Sequence, residues 1–184
     1  MKTKAVVAIV VFAALAIALN LSPLKIPAPY APFLIYQIWE IPIVTAFLLY
    51  GARVGFLITV VNTVALMAFY PGALPTGPFY NCAAVLSMLL GVGMVKVLLE
   101  KRSPKHGVIV SASFTAAGVA LRAGFMALLN YALLRFAPPV GYSLPEEAIV
   151  AMVPLVVLFN VTLALYTIPI GYSVARSVNL YIKS

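Results

Sequence analysis

The residues that could do chemistry are few. His106 is the only histidine and Cys82 the only cysteine in 184 residues, and four acidic residues face 12 Lys and Arg. No second His or Cys and no carboxylate pair stands at the spacing a metal needs. No nucleophile has a base within motif range, and there is no Gly-x-x-x-x-Gly-Lys-Ser/Thr loop to cradle phosphates. These absences predict no catalysis, no metal and no resident cofactor, and they mean that any ATP-driven process would need its ATPase from a partner. Binding chemistry is better represented. Asn62, Asn81, Arg122, Asn130 and Asn160 lie inside apolar runs, where polar side chains are costly and face a bundle interior or a cavity. Amides both donate and accept, so several converging on one cavity match an uncharged heterocycle; the alternative is interhelical hydrogen bonding that only holds the bundle together. Tyr36-Gln37-Ile38-Trp39-Glu40 and Phe79-Tyr80-Asn81 set aromatic faces beside hydrogen-bonding groups, as a flat ligand requires.

The elements that must position these groups follow from composition. The chain is 64% hydrophobic and 9% charged, against about 25% charged in soluble domains, which excludes a water-soluble fold and makes lipid the solvent. A spanning helix takes about 20 apolar residues, so the length accommodates six. The expected fold is an all-α integral membrane protein, one domain over 1–184 with six transmembrane helices at about 5–21, 33–50, 54–70, 79–99, 107–136 and 146–177. The Pro-rich stretch Ser22 to Pro32 reads as a structured external loop, Pro71 to Pro78 as a second loop, and Glu100 to His106 as the one strongly polar connection. Ala5 to Leu19, with Ala16-Ile17-Ala18 behind it, also fits a secretory signal. An anchoring helix is the better reading, because the later segments are themselves membrane-like.

Charge placement predicts orientation. Nine of the twelve Lys and Arg, including Lys4, Arg53, Lys96, Lys101, Arg176 and Lys183, fall on one side if both ends are cytoplasmic, whereas Glu40, Glu146 and Glu147 fall on the other. Basic residues flanking apolar runs are topogenic signals, so the net charge of +8 predicts a multi-pass cell-membrane protein and no nucleic-acid partner. Gly51-x-x-x-Gly55 reads as turn and packing glycine. The small-residue seam Ala13, Ala14, Ala16, Ala18 would let another helix approach closely.

Taken in order, the Ala14-x-x-x-Ala18 seam, Glu40-Ile41-Pro42 at the start of the second helix, Tyr50-Gly51, Thr76-Gly77-Pro78 with Asn81, Leu129-Asn130-Tyr131 and Phe159-Asn160 resemble the substrate-binding S components of energy-coupling factor (ECF) vitamin transporters. The riboflavin-specific members are the most similar. The resemblance covers most of the chain and implies a small membrane protein that captures a vitamin from outside, with no enzymatic activity. It would deliver the vitamin inward together with a transmembrane coupling subunit and two ATP-binding subunits. It implies that Ala14 and Ala18 contact the coupling subunit, and with the aromatic pattern it gives a ligand-facing set of Trp39, Glu40, Tyr80, Asn81, Asn130 and Asn160. The family usually has Asp where Glu40 stands and Pro where Ala52 stands. Riboflavin members carry a Lys shortly after Phe-Asn, where this chain has Thr162, Leu163 and Ala164. Another vitamin, such as thiamine or pantothenate, and a non-transporting scaffold therefore stay open as alternatives, with Arg122 the available substitute cation.

Overall fold

A computed structural model describes residues 3–69, 74–100 and 107–183. Lys2, Tyr70, the 71–73 part of the second loop and the polar connection 101–106 with His106 lie outside the described residues, as do the side chains of Glu100 and Lys183. Six helices and one hairpin follow one another as α1 (Thr3–Leu21), β1 (Ile26–Ala28), β2 (Ala31–Tyr36), α2 (Glu40–Tyr50), α3 (Ala52–Phe69), α4 (Gly77–Glu100), α5 (Gly107–Leu133) and α6 (Glu146–Lys183). Five of them, all but α2, are long and apolar enough to cross a bilayer.

The expected helix over 33–50 is corrected. Its first part is strand β2, antiparallel to β1 with Ile26 opposite Tyr36 and a register shift after Pro27, so the fold carries a two-stranded sheet within an otherwise helical bundle. Two physical causes act together. An apolar run such as Phe33 to Trp39 has no period that separates strand from helix, and Pro42 fits best in a first helical turn, where its missing N–H would be unbonded anyway. The helix therefore starts at Glu40, whose carboxylate suits the positive end of the helix dipole. At its other end Gly51, with φ of +95°, takes the left-handed conformation that only glycine adopts freely and donates its N–H to the Phe47 carbonyl at 3.0 Å. The α5 helix stops at Leu133 rather than 136, and α6 continues past 177 to Lys183.

The core runs through Ile43, Val44, Ile58, Val85, Met88, Val92 and Ile168, at the seam where α2 packs on α3 and α6, and α5 packs on α4 and α6. Close approach relies on glycine. A side chain at Gly91 would strike the Ala117 carbonyl, and one at Gly118 would strike Ile168. Small residues at such crossings let backbones meet where lipid supplies no hydrophobic drive. The expected seam on α1 divides: Ala13 and Ala16 are buried against the bundle, whereas Ala14 and Ala18 are exposed on the opposite face.

Candidate functional site

The α2 helix has 11 residues and is about 16 Å long, roughly half the hydrocarbon thickness. The segment leading into α2 is largely exposed, with Phe33, Ile35 and Ile38 on its outside, and is tied to the bundle by a few contacts. Tyr166 Oη on α6 donates to the Gln37 carbonyl at 2.6 Å. Tyr36 packs on Phe159 with ring centroids 4.9 Å apart, and the hydroxyls of Tyr30 and Tyr36 lie 2.5 Å apart. Burial, followed by the hydrogen bond to Tyr36, pushes the Tyr30 hydroxyl up to about 12.

This arrangement delivers Trp39 and Glu40 to the interior, 4% and 2% exposed. Glu40 meets Arg122, which stands just past the middle of α5. The guanidinium grips the carboxylate with two nitrogens, Nη2 on Oε1 at 2.9 Å and Nη1 on Oε2. Its third edge, Nε, donates to Asn160 Oδ1 on α6 at 2.8 Å, and Nη1 also lies 3.5 Å from Met88 Sδ on α4. Four helices thus converge on one guanidinium. The planar fork of arginine matches a carboxylate in two bonds at once, and a buried ion pair is tolerable only when its remaining donors and acceptors are also satisfied.

Toward the hairpin end of the bundle lie the other amides of the expected set, each placed by its own helix. Asn160 directs its Nδ2 to the Val156 carbonyl at 2.8 Å, which leaves its oxygen turned to Arg122. Asn130, two turns farther along the Arg122 face of α5, donates to the Met126 carbonyl at 2.7 Å. Asn81 sits on the α4 stripe that continues to buried Ala84, Val85 and Met88, yet it is itself exposed. A residue that lies on the inward stripe and is still exposed marks where the stripe opens, at the end of the bundle that carries the hairpin.

Of the expected set, the structure joins Glu40 and Asn160 directly through Arg122 and buries Trp39 next to Glu40. Asn130 and Asn81 lie nearer the hairpin end of α5 and α4 and make no hydrogen bond to the cluster. Tyr80 is placed otherwise than expected: its hydroxyl donates to the Val140 carbonyl at 2.8 Å, beside the Thr76 bond to the Pro139 carbonyl, so it ties α4 to the α5–α6 turn. Asn62 is buried on α3 with its Oδ1 unbonded and lies outside the cluster. Sequence reasoning missed Tyr166 and Met88. A tyrosine within an apolar helix was the available signal, since a buried phenol needs a partner; for Met88 there was none.

No family model and no curated protein matches the chain. Among solved structures, the S component of a bacterial ECF transporter superposes with a TM-score of 0.78 over 100% of both chains, at 20% sequence identity. The chain therefore has the fold of that S component, with five described helices long and apolar enough to cross a membrane.

Proposed function

We propose that the chain is the substrate-binding subunit of an ECF-type ATP-driven vitamin uptake transporter, and that it takes riboflavin or a related flavin from outside. The observation that carries this reading is the self-neutralised pair Glu40–Arg122, bonded to Asn160. A site whose only buried charges cancel suits an uncharged planar ring with its own donors and acceptors, with Trp39 and the Tyr36–Phe159 stack supplying apolar faces. A thiamine cation would need Glu40 released, and a pantothenate carboxylate would need Arg122 released. Delivery would proceed with a transmembrane coupling subunit, docked on the outward α1 face at Ala14 and Ala18, and two ATP-binding subunits. Both termini would be cytoplasmic, and the chain itself would do no covalent chemistry.

The test is titration of the detergent-purified protein with riboflavin while flavin emission is followed. Saturable one-to-one quenching that weakens at least tenfold in Asn160→Leu is the expected result. A folded protein that ignores riboflavin overturns the flavin reading, and a thermal-shift panel with thiamine and pantothenate then decides whether another vitamin fits. The chain lacks a Lys at 162–164, which specifically favours keeping that second reading. A bound ligand raises the unfolding midpoint with its concentration, so a scaffold with no small ligand would show no shift with any of the three.

A further inference from the structure

The other ends of α5 and α6 carry a second feature. Between them lies an open groove of about 840 Å³, walled on α5 by Ser111, Ala112, Thr115, Ala116 and Val119 and on α6 by Leu165, Pro169, Tyr172, Ser173, Arg176 and Ser177, a volume typical of small-molecule clefts. Its polarity is graded. Arg176 and the serines stand at the helix ends, whereas Ala116, Val119, Leu165 and Pro169 wall the deeper part. Pro169 has no N–H to return to the Leu165 carbonyl one turn earlier. From Gly107 to Val119 the groove follows α5 for about 18 Å, and from Leu165 to Leu180 it follows α6 for about 22 Å. Those lengths match one leaflet, about 20 Å from midplane to headgroup.

The polar groups here are not used by the protein. Among the described residues, the hydroxyls of Ser111, Tyr172, Ser173 and Ser177 make no hydrogen bond and Arg176 has no carboxylate partner; Thr115 is bonded, donating to the Ser111 carbonyl at 2.8 Å. Glycine at 107 leaves the space in which the Arg176 guanidinium lies, since any side chain there would collide with it. Of the three acidic residues whose side chains are described, Glu40 is held by Arg122, while Glu146 and Glu147 begin α6 at its far end. A cation and free hydroxyls at the headgroup level, above an apolar trough one leaflet deep, are complementary to one occupant.

We propose that this groove seats an anionic phospholipid, its phosphate on Arg176 and the serine hydroxyls and its acyl chain along Ala112, Ala116 and Val119. The proposal does not depend on which vitamin, if any, occupies the outer site. The probe is thermal unfolding of delipidated protein in detergent with added dioleoylphosphatidylglycerol, dioleoylphosphatidylcholine or inorganic phosphate. Phosphatidylglycerol should raise the midpoint by several degrees more than phosphatidylcholine. Arg176→Gln should erase that difference, and Ala116→Leu, which fills the trough, should erase the lipid shift; should R176Q fail to fold, A116L carries the test. Equal shifts with the two lipids, a full phosphatidylglycerol shift in R176Q or A116L, or no shift with either lipid would overturn the proposal. So would inorganic phosphate alone reproducing the shift, which marks a free-anion site, or a midpoint that rises with protein concentration instead, which marks a second copy in the groove.

Discussion

The same two helices treat polar side chains in opposite ways at their two ends. Where α5 and α6 meet α2, Arg122 and Asn160 face inward and every donor of the guanidinium's inner edges has a partner. Where they flank the groove, Arg176 and three serines stand without one among the described residues. In a bilayer a polar group either finds its partner inside the protein or draws one from the headgroup region. The Glu40–Arg122–Asn160 cluster is therefore satisfied within the protein, and the groove is an element left for the surroundings to complete.

That contrast can be broken most severely at Arg122. Arg122→Ala leaves the Glu40 carboxylate buried without its partner, and removing one member of a buried pair costs about 3–5 kcal/mol; the unfolding midpoint should fall sharply or the protein should not fold. The double variant Glu40→Gln with Arg122→Gln removes both charges and should recover most of the loss. If the double variant is as unstable as the single one, the cluster holds the bundle through shape and not through charge. Asn160→Leu comes next. It takes one neutral acceptor from a charged donor, worth about 1.5–3 kcal/mol, and its midpoint should fall less than that of Arg122→Ala.

Packing offers a comparison free of charge effects. Gly91→Ala drives a methyl into the Ala117 carbonyl, whereas a methyl at Gly124 on the same α5 helix meets nothing within 4 Å. Overpacking costs about 1–3 kcal/mol, and replacing an exposed helical glycine with alanine gains up to about 1 kcal/mol. The two alanine variants should therefore shift the midpoint in opposite directions. Shifts of the same sign would mean that the α4–α5 crossing is not tight.

These features differ in how far the sequence disclosed them. The long apolar runs made α1 and α3 to α6 readable, because lipid demands such runs and little else in a protein of this size produces them. The short α2 was not readable: Phe33 to Trp39 is as apolar as a helix, the ladder that makes Ala31–Tyr36 a strand comes from β1, and the bond that holds the Gln37 carbonyl comes from Tyr166, 129 residues away. Glu40 and Asn160 were legible as candidates by type and motif, but their connection was not, since Arg122 lies 82 residues from one and 38 from the other. Tyr80 looked identical in kind to the pocket aromatics. Only the position of the Val140 carbonyl shows that its hydroxyl is already used.

The smallest expected effect concerns the β1–β2 hairpin that precedes α2. Tyr30 and Tyr36 share one hydrogen bond, and the Tyr30 hydroxyl is raised from the ordinary 10 to about 12, chiefly by burial and then by Tyr36. A group whose folded-state pKa is raised contributes stability that is fully present below its unfolded value and is lost as pH climbs through the folded value. The clasp should therefore be intact up to about pH 10 and open between about 10 and 12, with no change across the neutral range. Tyrosinate absorbance followed against pH should show a late-titrating component in the wild type that disappears in Tyr30→Phe, while the midpoint at pH 7 shifts only slightly. A late component that persists in Tyr30→Phe would move the assignment to another tyrosine and leave the Tyr30–Tyr36 bond without a part in holding the hairpin.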